Sequence, residues 1–186
     1  MNKEQVGIHI GEYHASAEPV KIYTLLGSCV AVCLHDPYSR IGGMNHILLP
    51  GKADINKFDV AARYGVNAME LLINRMMKLG ASRRSLRAKV FGGGHVLPSI
   101  SRSNGVGQRN VSFVLEFLRL EKIRVSASDV GGTHSRKVLY HTDTDEAFVK
   151  KLPSSWQQQI VEQERLESGR LRKKAAGTGE VIIFDR

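Results

Sequence analysis

Residues 21–49 carry three β-rich runs with only short breaks between them, so this part of the chain must form neighbouring strands. Lys21 to Leu25 leads through Leu26-Gly27-Ser28 into Val30-Ala31-Val32-Cys33-Leu34, which predicts a strand, a tight bend at Gly27 and a second strand. Asp36-Pro37-Tyr38-Ser39-Arg40 is a turn cluster, and Gly42 to Leu49 is a further strand stopped by Pro50-Gly51. One short connection therefore separates the segment that starts at Cys29 from the one that holds His46.

The remaining pattern supplies the rest of one compact domain, as 186 residues with 42% apolar content allow. Val6, Ile8 and Ile10 alternate with Gly7, His9 and Gly11 as in a strand with one buried face. Apolar residues at three- and four-residue steps from about Asp59 to Leu79, ahead of Gly80, predict a long helix. Lys89-Val90-Phe91 reads as a strand running into the Gly92-Gly93-Gly94 loop. Val111, Val114, Leu115 and Leu118 predict a second helix that begins near Asn110 as its N-cap. Ile123 to Ala127 reads as a strand, Gly131-Gly132 as a loop, and Arg136 to His141 with Ala147 to Leu152 as a hairpin. Beyond Pro153 the chain turns polar, so residues 153–186 are expected to form a peripheral helix and a loose tail beside a 1–152 domain. No apolar run approaches the roughly 18 residues of a membrane span, and the start lacks a signal-peptide pattern, so the expected location is the cytoplasm.

The chemistry centres on Cys29. It is one of two cysteines, too few for a disulfide framework. A thiol just after a glycine bend sits where unpaired backbone N–H groups can lower its pKa or hold a developing oxyanion. A lone cysteine in an apolar strand is otherwise simply core filling. His46, on the neighbouring strand, is the partner that makes a Cys–His pair feasible. Cys33 shares the face of Cys29 but lies about 13 Å along the strand, out of disulfide or shared-zinc reach, and reads as core. The residue six past Cys29 is His35 rather than Arg, so no phosphatase loop is present. His9, His14, His95, His134 and His141 show neither HExxH nor His-x-His spacing, and no metal site is expected. The glycine-rich stretches match neither dinucleotide nor P-loop spacing.

The net charge of +9 is local: from Arg75 to Arg136 there are 12 Lys and Arg against 3 acids. Such a face can steer the domain toward an acidic partner, or serve only as a solvated surface.

These motifs make the chain recognisable. Thr24-Leu25-Leu26-Gly27-Ser28-Cys29-Val30-Ala31-Val32-Cys33, the Asp36-Pro37 turn, Gly42-Gly43-Met44-Asn45-His46 with Leu49-Pro50, Gly107-Gln108-Arg109-Asn110 and Asp129-Val130-Gly131-Gly132 resemble the bacterial chemoreceptor glutamine deamidase family, CheD. The resemblance runs from about Gly7 to Leu152. It implies a single-domain layered α/β/β sandwich with mixed, largely antiparallel sheets. It also implies a cysteine hydrolase that converts receptor glutamines to glutamate without a cofactor. Cys29 is the implied nucleophile, His46 the base and Thr24 the third member, with Tyr23 as its rival because some members place that threonine one residue earlier. Backbone amides at Gly27 and Ser28 are the implied oxyanion donors. Methyl-accepting chemotaxis receptors are the implied partners, and in some bacteria a CheC-type phosphatase. Arg83 and Arg84, after the long helix, and Gln108, Arg109 and Asn110 are candidate docking residues. Two other classes stay open from the residues alone, a non-catalytic adaptor and a basic nucleic-acid-binding module, although no aromatic stacking run favours the latter.

Overall fold

The structure is a computed structural model that describes residues 3–96 and 105–177. Nine strands and three helices follow in the order β1 (Glu4–Gly7), β2 (Tyr13–Ser16), β3 (Val20–Leu26), β4 (Val30–Asp36), β5 (Ile41–Ile47), α1 (Val60–Leu79), β6 (Arg87–Gly92), α2 (Val106–Leu120), β7 (Arg124–Val130), β8 (Arg136–His141), β9 (Ala147–Lys151) and α3 (Ser154–Gly177), with a short 3-10 turn at Arg83–Ser85. The strands form two sheets, one of order β1-β3-β8-β9 and one of order β2-β5-β4-β6-β7. Only the β1–β3 and β6–β7 pairs are parallel. The expected α/β/β layering with mixed, mainly antiparallel sheets is the architecture found.

β4 explains the layering. It is the centre of the five-stranded sheet, and all seven of its residues are buried. A strand alternates its side chains between faces. Val30, Val32 and Leu34 therefore join Met69, Leu72 and Phe113 of α1 and α2 in one core, while Ala31 and Cys33, in line with Cys29, join Ile22, Leu26 and Val138 of the other sheet in a second core. β3 faces that second layer with Val20, Ile22, Thr24 and Leu26, every other residue.

α1 starts where the sequence places it. Asp59 is its N-cap, with the carboxylate accepting from the Ala62 N–H at 2.8 Å, and Gly80 ends it in the left-handed region at φ 113°. α2 does not. It begins at Val106, and Asn110 is a buried residue within its second turn rather than the cap. β2, which the sequence does not signal, pairs with β5. Arg102 and the expected tail past residue 177 lie outside the described residues. No helix among the described residues is long and apolar enough to cross a membrane, and no cluster of three His, Cys, Asp or Glu there is disposed to hold a metal ion.

Candidate active site

The bend between β3 and β4 is held by its carbonyls. Gly94 N–H donates to Gly27 O at 2.8 Å, the Asn110 amide donates to Ser28 O at 2.9 Å, and Gly93 N–H donates to Cys29 O at 2.7 Å. Asn110 is itself fixed, because its side-chain oxygen accepts from Leu49 N–H at 3.0 Å. The approach of the glycine loop to Cys29 needs Gly92, which has φ 108° and would carry a Cβ only 2.2 Å from Cys29 O. With the three carbonyls satisfied on one side, the N–H groups of Gly27, Ser28 and Cys29 converge on the other.

A single carboxylate fills that convergence. Glu164 of α3 accepts from Gly27 N–H at 2.9 Å and Cys29 N–H at 3.1 Å through Oε1. Its Oε2 accepts from Ser28 N–H at 2.8 Å and from the Ser28 hydroxyl at 2.6 Å. Glycine at 27 is what admits it, since a Cβ there would stand 3.0 Å from both carboxylate oxygens. Glu164 is 6% exposed and Cys29 is 0% exposed. The C-terminal helix is mostly exposed, yet it reaches the bend. Its apolar anchors are few, as expected, but it seats a carboxylate on the candidate nucleophile. Nothing in the local sequence marks Glu164 among its charged neighbours. The one available signal is its spacing of four from Ile160, the other buried residue among the described residues of this helix.

His46 pairs with Ala31 across the β4–β5 ladder, so Cys29 is its diagonal rather than its direct neighbour on the same face. Diagonal residues stand about 7–8 Å apart, within reach of an imidazole. The His46 Nδ1 is 2.8 Å from the Thr24 hydroxyl, and that hydroxyl is 2.7 Å from Ile8 O. The Ile8 carbonyl can only accept, so Thr24 donates its one proton there and receives the Nδ1–H of His46. The tautomer is thereby fixed, leaving Nε2 bare, buried and without a hydrogen-bond partner. Tyr23 points to the opposite face of β3, where its ring lies under Lys137. It makes no comparable contact with the imidazole.

Burial holds the His46 pKa down at about 4, against the opposing pull of Glu164. Burial also pushes the Cys29 thiol well up, and the adjacent Glu164 carboxylate, by charge and by hydrogen bond, pushes it further. With the site in this state the thiol is protonated and the imidazole neutral.

Comparison with known proteins gives the family. Residues 48–151 match the family described as CheD chemotactic sensory transduction. The chain is 47% identical over 176 residues to a probable chemoreceptor glutamine deamidase CheD of Thiobacillus denitrificans, covering 94% of this chain and 86% of the relative. The chain belongs to the CheD family. A second relative, from Shewanella oneidensis, is 45% identical over 98% of this chain and 88% of its own length, and one from Dechloromonas aromatica is 51% identical over 76% and 70%. Both are also named as probable chemoreceptor glutamine deamidases of the CheD type. The CheD family match begins just past His46, whereas the first two relatives cover nearly the whole chain.

The structure divides the residues singled out for docking in this CheD chain. Arg83 forms ion pairs at 2.6 Å with Glu70 and with Glu121, so its charge is already engaged within the fold. Arg84 is exposed beside it and lines a concavity of about 630 Å³ with Arg87, Lys122, Arg124 and Tyr38. Gln108 is exposed on the first turn of α2, and Arg109 is half-buried there. Asn110 faces inward and braces the bend rather than meeting a partner.

Proposed function

We propose that this chain hydrolyses the side-chain amides of glutamines in methyl-accepting chemotaxis receptors, in the cytoplasm, to glutamate and ammonia. The observation that carries the reading is the convergence of the Gly27, Ser28 and Cys29 N–H groups on one carboxylate beside the thiol. A site that holds a carboxylate in this way also suits the oxyanion of an amide under attack.

In this reading the bare Nε2 of His46 takes the Cys29 proton, and the sulfur attacks the carboxamide carbon. Gly27 and Cys29 N–H groups hold the oxyanion. His46 returns the proton to the departing nitrogen, ammonia leaves, and the thioester remains. Water, deprotonated by the same nitrogen, then releases glutamate and restores the thiol. Thr24 acts through His46 as a positioning residue. Neither step needs redox chemistry or a carrier. Each turnover places a negative charge on a receptor helix and creates a carboxylate that can be methylated. A CheC-type phosphatase is a further partner that the family resemblance implies.

Incubation with a receptor cytoplasmic fragment tests the assignment. The fragment should gain the mass of an amide-to-acid exchange at discrete glutamines, and Cys29→Ala should give none. An unmodified fragment with the wild-type protein, under conditions in which Cys29 is accessible to alkylation, would remove the assignment.

A further inference from the structure

The carboxylate in the site belongs to the protein itself. We propose that α3 is a product-like occupant of the active site, with Glu164 standing where the side chain of a newly formed glutamate stands, and that a receptor helix must displace it before catalysis. The inference rests on the deamidase reading for the identity of the reacting carbon, though not for the occupancy.

Four hydrogen bonds from the bend converge on Glu164, three from backbone N–H groups and one from the Ser28 hydroxyl. Both carboxylate oxygens serve as acceptors. An amide in the same pose keeps its oxygen between Gly27 and Cys29 N–H. Its nitrogen, however, would face the Ser28 N–H, donor against donor, with only the Ser28 hydroxyl able to accept from it. The cradle therefore holds the acid more tightly than the amide, as a resting state requires. The helix that delivers the acid has other ties besides, and Leu171 packs against the core that holds Cys29. Ile160 is buried, Gln157 donates to Val96 O at 3.1 Å and Arg172 donates to Pro50 O at 3.2 Å. A cavity of about 240 Å³ is left between α3 and the body, lined by Ser28, Leu48, Val96, Val106 and Val161. The helix thus lies over the site, with its carboxylate taking four hydrogen bonds from the bend. Its presence also disfavours the thiolate at Cys29.

The occupancy predicts a self-reaction. In Glu164→Gln the side-chain amide lies against Cys29. Attack by Sγ on its Cδ, loss of ammonia with the proton carried by His46, and hydrolysis of the thioester by water would return a glutamate at position 164.

The test uses full-length protein. Cys29 alkylation by iodoacetamide, located by peptide mass, should be about tenfold faster or more in Glu164→Ala than in wild type, because a charge-assisted anchor has been removed. Ile160→Ser, which loosens α3 while keeping the carboxylate, should move the rate in the same direction. With a receptor fragment, Glu164→Ala should lower KM and leave kcat nearly unchanged. Purified Glu164→Gln should carry an acid at position 164, and the Cys29→Ala, Glu164→Gln double variant an amide. Equal alkylation rates in wild type and both loosened variants, with the fold retained by circular dichroism, overturn the inference even if the fragment is deamidated. An amide that persists in Glu164→Gln while the same preparation converts the fragment overturns the product-like placement. If no preparation converts the fragment, the deamidase reading fails, and alkylation still decides the occupancy.

Discussion

Thr24 donates its only hydroxyl proton to Ile8, and that small fact fixes which nitrogen of His46 is free. Thr24→Ser should therefore keep most activity. Thr24→Val, similar in shape but without the hydroxyl, should lower kcat by roughly ten- to a hundredfold with little change in KM, because the base is present but no longer oriented. It should also cost about 1–3 kcal/mol in urea unfolding, since the buried Nδ1–H loses its acceptor. His46 stays neutral down to about pH 4. The groups that face it are Glu164, His9 and Glu12. The acid limb of kcat/KM should accordingly lie well below the ordinary histidine value of about 6.5. In Glu164→Ala it should lie lower still, because a charge favouring the imidazolium is gone. The same depression makes the unfolded chain bind the proton first as pH falls. The His46 contribution to stability is thus complete above about pH 6.5 and is lost on the way down to about 4, which a Tm profile against pH in wild type and His46→Gln would record. Cys33 lies in the same buried layer as Cys29 but away from the bend, so Cys33→Ala should retain activity where Cys29→Ala has none.

At the scale of elements, the bend depends on α2, and this is where the sequence is hardest to read. Asn110 precedes an apolar helical stripe, and such a position suggests an N-cap. The helix instead starts at Val106, and the Asn110 amide serves two groups distant in sequence, the Leu49 N–H and the Ser28 carbonyl. Local pattern carries no information about such contacts. Asn110→Leu should cost about 1–3 kcal/mol for each buried group left unpaired, and should lower kcat by letting Ser28 turn. Asn110→Asp is the sharper comparison. It can still accept from Leu49 but cannot donate to Ser28, so a kcat loss with smaller destabilisation would locate the effect in the bend. The strands β3, β4 and β5 were legible because each is a dense β-rich run between breakers. β2, only four residues long and with Ala15 alone buried, has no such contrast and takes its place from pairing with β5.

For the whole molecule, the basic excess resolves into charges the fold uses and charges it leaves outside. Besides Arg83, Lys89 pairs with Asp145, and the buried Arg136 donates to the carbonyls of Gly92, Asp129 and Gly131. Arg84, Arg87, Lys122 and Arg124 remain at the concavity near Asp36, the far end of β4 from Cys29 and roughly 23 Å along it. A partner touching both places must be elongated, as a receptor helix is. Arg84→Glu with Arg124→Glu should raise KM at low salt and flatten its rise with ionic strength, while kcat holds, because steering is screened beyond a Debye length of about 8 Å at physiological salt. Arg83→Glu should show itself in stability instead. A flat KM in the double reversal would leave this end a solvated surface. The part of the site least legible in the sequence is Glu164, because one acid in a polar helix gains meaning only from where the helix lies. That helix is joined to β9 by Leu152 and Pro153 alone. So short a tether presents Glu164 to the bend at an effective concentration on the order of millimolar. Under the proposed displacement, a dilute receptor competes poorly against a group held at that level, whereas receptors packed side by side reach it.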